Sequence, residues 1–279
     1  MPNPTEAGDS FYGSAPEAAK AWLLVEHPGP WPAFDLPQDL PQALADYAAQ
    51  ALAHGVRTQL IRRTDRRGRR EQARQRTSGG HWGPGATGGE TGAARRPDEP
   101  AAVLLAGGPS DSRWLVRVDP IAWPTLLGLD PARLLDPTPP LSGAKQEAVL
   151  LVCTHGRREV CCAQYGRPLA RALAAEYGPM VWETTHVGGD EYAANLVLLP
   201  SGAYFGRMAP EGAVAVVERA LAGDLDYEHY RGTAGLPAPV QAADCLLRRA
   251  FPLPGKAAAV GPAASTAGST ASGRIRTAW

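Results

Sequence analysis

Net charge is missing from this chain: 28 Lys and Arg balance 28 Asp and Glu. No global field therefore draws it to nucleic acid or to an acidic lipid surface. Long apolar runs are missing too. No segment approaches the roughly 20 continuous apolar residues of a membrane span, and MPNPTEAGDSFYG has neither the basic start nor the apolar stretch of a signal peptide. A soluble, cytoplasmic protein is expected, with no membrane and no nucleic acid among its partners. Cysteine is scarce, four residues in all, and Cys153, Cys161 and Cys162 crowd into one short stretch. That is too few and too clustered for a secreted disulfide scaffold, and in a reducing compartment it suggests metal or thiol chemistry. There is no C-x-x-C pair, no G-x-x-x-x-G-K phosphate loop, and no dinucleotide fingerprint after the first strand.

What is present is an order of elements that repeats. The first half reads as a buried strand around Trp22 to Glu26, a helix from Leu40 to Gly55, and a strand at VRTQLIRR. Two more strands follow at AAVLLAGG and RWLVRVD, then a short helical stretch near Ile121 to Leu127. The second half reads as a strand at EAVLLVCTH, a helix at RPLARALAAEYG and a strand at MVWETTH. A hairpin across Ser201-Gly202 and a final helix at PEGAVAVVERALAG complete it. The expected fold class is α/β, as two small thioredoxin-like lobes: residues 8–140, without cysteine, and residues 145–254. Residues 64–100, rich in Gly and Arg, bury too little apolar surface to order themselves and are expected to be a flexible insert. The tail at 255–279 reads the same way. No aromatics interleave with the arginine run from Arg62 to Arg76, so it reads as a solvated loop rather than a base-stacking arm.

The residues that carry chemistry arrive as two pairs. Cys153 and Cys162 offer thiolates, and His186-Val-Gly-Gly-Asp190 offers an imidazole and a carboxylate after an intervening helix and strand. Adjacent parallel strands bring such loop ends to one sheet edge. Gly188 and Gly189 permit a tight turn with positive φ and close approach of backbone N–H groups to anionic sulfur. If the loops meet, a two-iron, two-sulfide cluster is the simplest occupant. Alternatives stay open. Cys161 can replace Asp190 or Cys162, and His155 can join Cys153, Cys162 and His186 in a four-coordinate zinc site that stabilises an interaction module. A thiol-disulfide oxidoreductase is a third reading, weakened by the strained ring that vicinal Cys161 and Cys162 would form. Cys245 reads as a small apolar residue on a terminal helix, and His27 as a turn residue. Glu183, Asp190 and Glu191 crowd one loop, but nothing marks the sugar site that a glycosidase would need.

Taken together, LLVEHPGPW, CTHGRREVCCAQYGRPLA, WETTHVGGD, ANLVLLPSGAYFGRM and HYRG make the chain resemble the sucrase/ferredoxin-like family over most of residues 8–255. The resemblance implies that the second lobe is a thioredoxin-like ferredoxin holding a [2Fe–2S] cluster. Cys153, Cys162 and His186 match the family's ligand pattern directly. Asp190 stands where the bis-histidinyl pattern has its second histidine. By this resemblance Cys153 and Cys162 hold one iron, and His186 with Asp190 the other. The implied function is single-electron transfer between a reductase and an acceptor, without a substrate pocket. Two thiolates, one imidazole and one carboxylate leave the oxidised cluster with about one negative charge. Replacing two thiolates by histidines raises potentials from about −400 mV toward or above about −150 mV, so an intermediate value is expected here. A His186 nitrogen not bound to iron would couple reduction to proton uptake.

Overall fold

The computed structural model describes residues 11–64, 100 and 102–251. The insert read at 64–100, apart from its end positions 64 and 100, and the tail read at 255–279 lie outside the described residues. The fold is α/β, built on one ten-stranded sheet. Its central strands form where the sequence is continuously apolar. These are β1 (Ala21–Glu26, AWLLVE) and β6 (Val149–Cys153, VLLVC), buried along both faces as interior strands must be.

Two pairing patterns match. In the first half β1 runs parallel to β2 (Val56–Arg63) and antiparallel to β3 (Val103–Gly107). Strand β3 pairs antiparallel with β4 (Trp114–Arg117), which carries the two-residue β5 (Ala144–Lys145) at the sheet edge. In the second half β6 runs parallel to β7 (Val181–Thr184) and antiparallel to β8 (Leu196–Leu199). Strand β8 pairs with β9 (Ala203–Phe205), and β9 with β10 (Tyr230–Thr233). Each half thus has the strand–helix–strand then hairpin arrangement of a thioredoxin-like sheet. Strands β2 and β7 pair antiparallel and make the two halves one sheet.

Helices cover the outer faces. Helix α1 (Gln42–Ala53) and the short α2 (Trp123–Leu127) cover the first half, burying Leu44, Tyr47 and Leu126. Helix α3 (Val160–Tyr177) and α4 (Ala213–Leu221) cover the second, burying Leu169, Leu173 and Val217. Helix α5 (Ala238–Ala250) packs beside β10 and buries Cys245. The opposite face of the sheet encloses a core common to both halves, in which Trp22, Leu24 and Ile61 join Leu151, Cys153 and Trp182. Burying each such large side chain contributes about 1.5–3 kcal/mol.

Helix α3 starts earlier than the sequence reads. Pro168 resembles a first-turn proline, which would begin the helix near Arg167, yet it lies inside a helix that begins at Val160. Cys162 therefore belongs to the first turn of α3 rather than to the loop before it. Gly166 permits the close packing that follows: a Cβ there would sit 2.0 Å from the carbonyl oxygen of Cys153. Only a glycine at this position lets the helix lie directly on the end of β6.

Candidate metal centre

Register builds the site. Cys153 ends β6 and pairs with Thr184 at the end of the parallel β7, two residues before His186. Helix α3, held down by Gly166, brings Cys162 over the same strand end. The donor atoms of Cys153, Cys162 and His186 all lie within 4.8 Å of one another. Cys162 Sγ is 3.8 Å from His186 Nδ1. The other ring nitrogen, Nε2, is 3.7 Å from Asp190 Oδ1. Asp190 thus reaches the group through His186, and its carboxylate lies outside the mutual 4.8 Å set. Cys161 lies beside Cys162, outside the mutual 4.8 Å set, and donates to the Asp190 carbonyl at 3.4 Å.

The two sulfurs share a proton unequally. The Cys162 thiol donates to Cys153 and is pushed far up by doing so. Cys153 is held well below the ordinary thiol range, first by that bond, then by His186 and the backbone N–H groups of His155 and Val187, with burial opposing. A buried sulfur that receives this many donors is suited to hold a cation. Both sulfurs are 1 % exposed, whereas the side chains of His186 and Asp190 are 21 % and 38 % exposed. Two sulfurs and a borderline imidazole form the donor chemistry of a thiophilic metal or an iron–sulfur cluster, so the residues fit such a group.

His155 does not belong to the donor set. Its Nε2 donates to the Pro32 carbonyl at 2.7 Å, and its Nδ1 accepts from the His186 N–H at 3.3 Å. A carbonyl only accepts and an amide N–H only donates, so the neutral Nε2–H tautomer is fixed. Burial lowers its pKa, which keeps the ring neutral. The imidazole therefore props the His186 backbone, and Pro32, on the loop after β1, props the imidazole. Glu183 is also structural. Its Oε2 accepts from Arg62 Nε at 2.8 Å, Arg62 Nη2 at 2.6 Å and Thr154 Oγ1 at 2.9 Å, locking β7 to β2.

The carbonyls of the loop from His186 to Gly189 are held from behind. That of His186 accepts from Gln59 and Arg57, and that of Val187 from Arg57. The Gly188 carbonyl accepts from Arg231 and the Gly189 carbonyl from Asn195. Both glycines have positive φ, 91° at Gly188 and 72° at Gly189. At Gly189 a Cβ would also fall 2.2 Å from an Arg231 nitrogen. These supports were not legible as a site in the sequence. The only signals were an arginine set between Tyr230 and Gly232, and arginine and glutamine alternating with Thr58 in a strand.

The sucrase/ferredoxin-like family model matches residues 12–232. The chain belongs to the sucrase/ferredoxin-like family. As a family member it is similar to the "Altered inheritance of mitochondria protein 32" of Meyerozyma guilliermondii, with 33 % identity over 97 residues, 31 % of this chain and 34 % of that protein. The protein of the same name from Debaryomyces hansenii is 31 % identical over 99 residues, 30 % of this chain and 35 % of its own length. The match to this family member thus spans about a third of each curated relative. Among solved structures, the thioredoxin-like [2Fe–2S] ferredoxin of Aquifex aeolicus is 20 % identical over 29 % of this chain and 86 % of its own, with a TM-score of 0.26. Its Cys59Ser variant covers 29 % and 93 %, at 19 % identity and a TM-score of 0.26. No helix among the described residues is long and apolar enough to cross a membrane.

Proposed function

We propose that this chain is a single-electron carrier whose second lobe, residues 145–254, holds a [2Fe–2S] cluster through Cys153, Cys162, His186 and Asp190. The observation that carries the reading is the convergence of Cys153, Cys162 and His186 within 4.8 Å, from a strand end, a helix start and the loop after a parallel strand. In this reading Cys153 and Cys162 hold one iron, and His186 and Asp190 the other. When bound, such a cluster supplies one-electron chemistry between ferric and ferrous iron. The chain's own part is to remove the Cys162 proton on binding, to exclude water from the sulfur pair, and to fix the His186 backbone through His155. The partly exposed His186–Asp190 edge is the face toward redox partners, a reductase and an acceptor. All four cysteines are free, which suits a reducing compartment such as the cytoplasm. The cysteine-free lobe at 8–140 is part of the same proposal, as a lobe that carries no cluster of its own.

A second reading, a zinc-stabilised interaction module, is favoured by one observation. Three donors this close together also suit a single tetrahedral ion with Zn–S bonds of about 2.3 Å. A thiol-disulfide oxidoreductase is opposed by burial, because at 1 % exposure Cys153 gives a substrate disulfide no access. Anaerobic purification followed by iron, zinc and acid-labile sulfide determination separates the readings. About two irons with matching sulfide, in a brown protein, support the cluster. One zinc in a colourless protein overturns it. In the same assay Asp190→Ala should labilise the iron; unchanged iron and spectrum would give the fourth position to Cys161 or to solvent.

A further inference from the structure

Arg231 is 1 % exposed, and among the described residues no carboxylate lies within ion-pair distance of it. Its guanidinium donates to neutral acceptors. These are Ser14 Oγ at 3.0 Å, the Ser14 carbonyl at 2.7 Å, Asn195 Oδ1 at 2.8 Å and the Gly188 carbonyl at 3.1 Å. The rings of Tyr192 and Tyr204 flank it at 5.0 and 5.7 Å. Glu191 exerts an attraction from beyond pairing distance, and Arg57 a repulsion. Arg57 donates in turn to the carbonyls of Val187 and His186 at 2.9 and 3.3 Å. Two cations therefore press on the back of one loop, the loop that carries His186 and Asp190. A buried charge without an opposite charge is costly even after relaxation, and an anion nearby would offset that cost. The same loop carries His186, whose ring lies beside the two cysteine sulfurs. With two thiolates, one imidazole and one carboxylate, the cluster would carry about one negative charge when oxidised and one more when reduced.

We propose that Arg231, assisted by Arg57, is the built-in counter-charge of this anionic centre and holds its reduction potential up. The inference rests on the cluster reading. Arg231 is a positioning residue that acts through the Gly188 carbonyl and through its field, without touching the metal. A fixed positive charge in a site of low dielectric favours the more negative, reduced state. Gly189 is part of the device, because any side chain there would displace the guanidinium.

The test is the midpoint potential of the anaerobically purified full chain, with iron content and visible spectrum recorded in parallel. Arg231→Gln should keep iron and spectrum while the equilibrium constant for one-electron reduction falls about tenfold, about 59 mV for one electron. Arg231→Lys, which keeps the charge but not the fork, should stay within about threefold of the natural protein. The shift should persist at high salt, since buried charges are screened little. A purely structural role predicts equal behaviour of the two variants. An iron-loaded Arg231→Gln protein with an unmoved potential overturns the inference and leaves the cluster reading standing. An iron-free natural protein overturns both. Should Arg231→Gln fail to fold, as circular dichroism would show, Arg57→Gln decides. A shift in the same direction of about threefold supports the inference, and no shift overturns it.

Discussion

The two halves of the sheet end their central strands in different ways. Strand β1 leads into His27, 3 % exposed, whose Nε2 lies 3.0 Å from Asp39 Oδ1 across the loop before α1. Strand β6 ends in Cys153, and the first turn of α3 sets Cys162 above it. The pairing of strands is the same; what stands at the strand end is not. In the first half an imidazole–carboxylate contact closes the turn, and no sulfur is present. In the second, two sulfurs and an imidazole meet with a proton to lose. This sheet is a frame, and side chains at one strand end decide the chemistry. The halves are not independent, however. The first half supplies Pro32, Arg57 and Gln59 to the second half's site, and Arg62 to Glu183.

Substitutions on the two sides sharpen this contrast. The largest effect belongs to Cys153→Ser, which removes the buried sulfur and should reduce bound metal to background while the protein remains folded by circular dichroism. Arg62→Met comes next. It strands the buried Glu183 carboxylate at the junction and should destabilise by about 3–5 kcal/mol in urea unfolding. If it costs little, the halves are less tightly joined than the β2–β7 pairing implies. Gly189→Ala forces a Cβ into the left-handed region and against Arg231, for an expected loss of about 1–3 kcal/mol together with faster metal release to a chelator. Smallest is His27→Asn in the first half. Asp39 is well exposed, so its charge is not stranded, and the change should cost about 1 kcal/mol with no loss of metal. Metal loss from this variant would break the proposed division of labour.

Much of the frame was legible because both central strands are apolar runs, and because glycine follows α1 at Gly55 and caps α3 at Gly178. The hairpin at Ser201-Gly202 was legible for the same local reason, with Gly202 at φ 74°. The ligand candidates stood out because sulfur is rare in the chain and glycines fill the space between His186 and Asp190. Three features were not legible. Pro168 suggested a late helix start, because proline normally marks a first turn. The β2–β7 junction depends on the Arg62–Glu183 pair, and a partner 121 residues away leaves no local signal. Strand β10 is four residues long and carries a charge, so neither apolar run nor alternation announced it. Its Arg231 therefore stood in a motif without a role until Gly188 and Gly189 were seen against it.

On the proposed reading, His186 and the two cysteines close around one iron centre. Pulsed electron paramagnetic resonance of the anaerobically purified, reduced protein, grown with isotopically labelled histidine, tests this directly. One strongly coupled histidine nitrogen, lost in His186→Cys while the iron signal remains, is the predicted result. An iron signal with no histidine coupling, or one unchanged by that substitution, would contradict it.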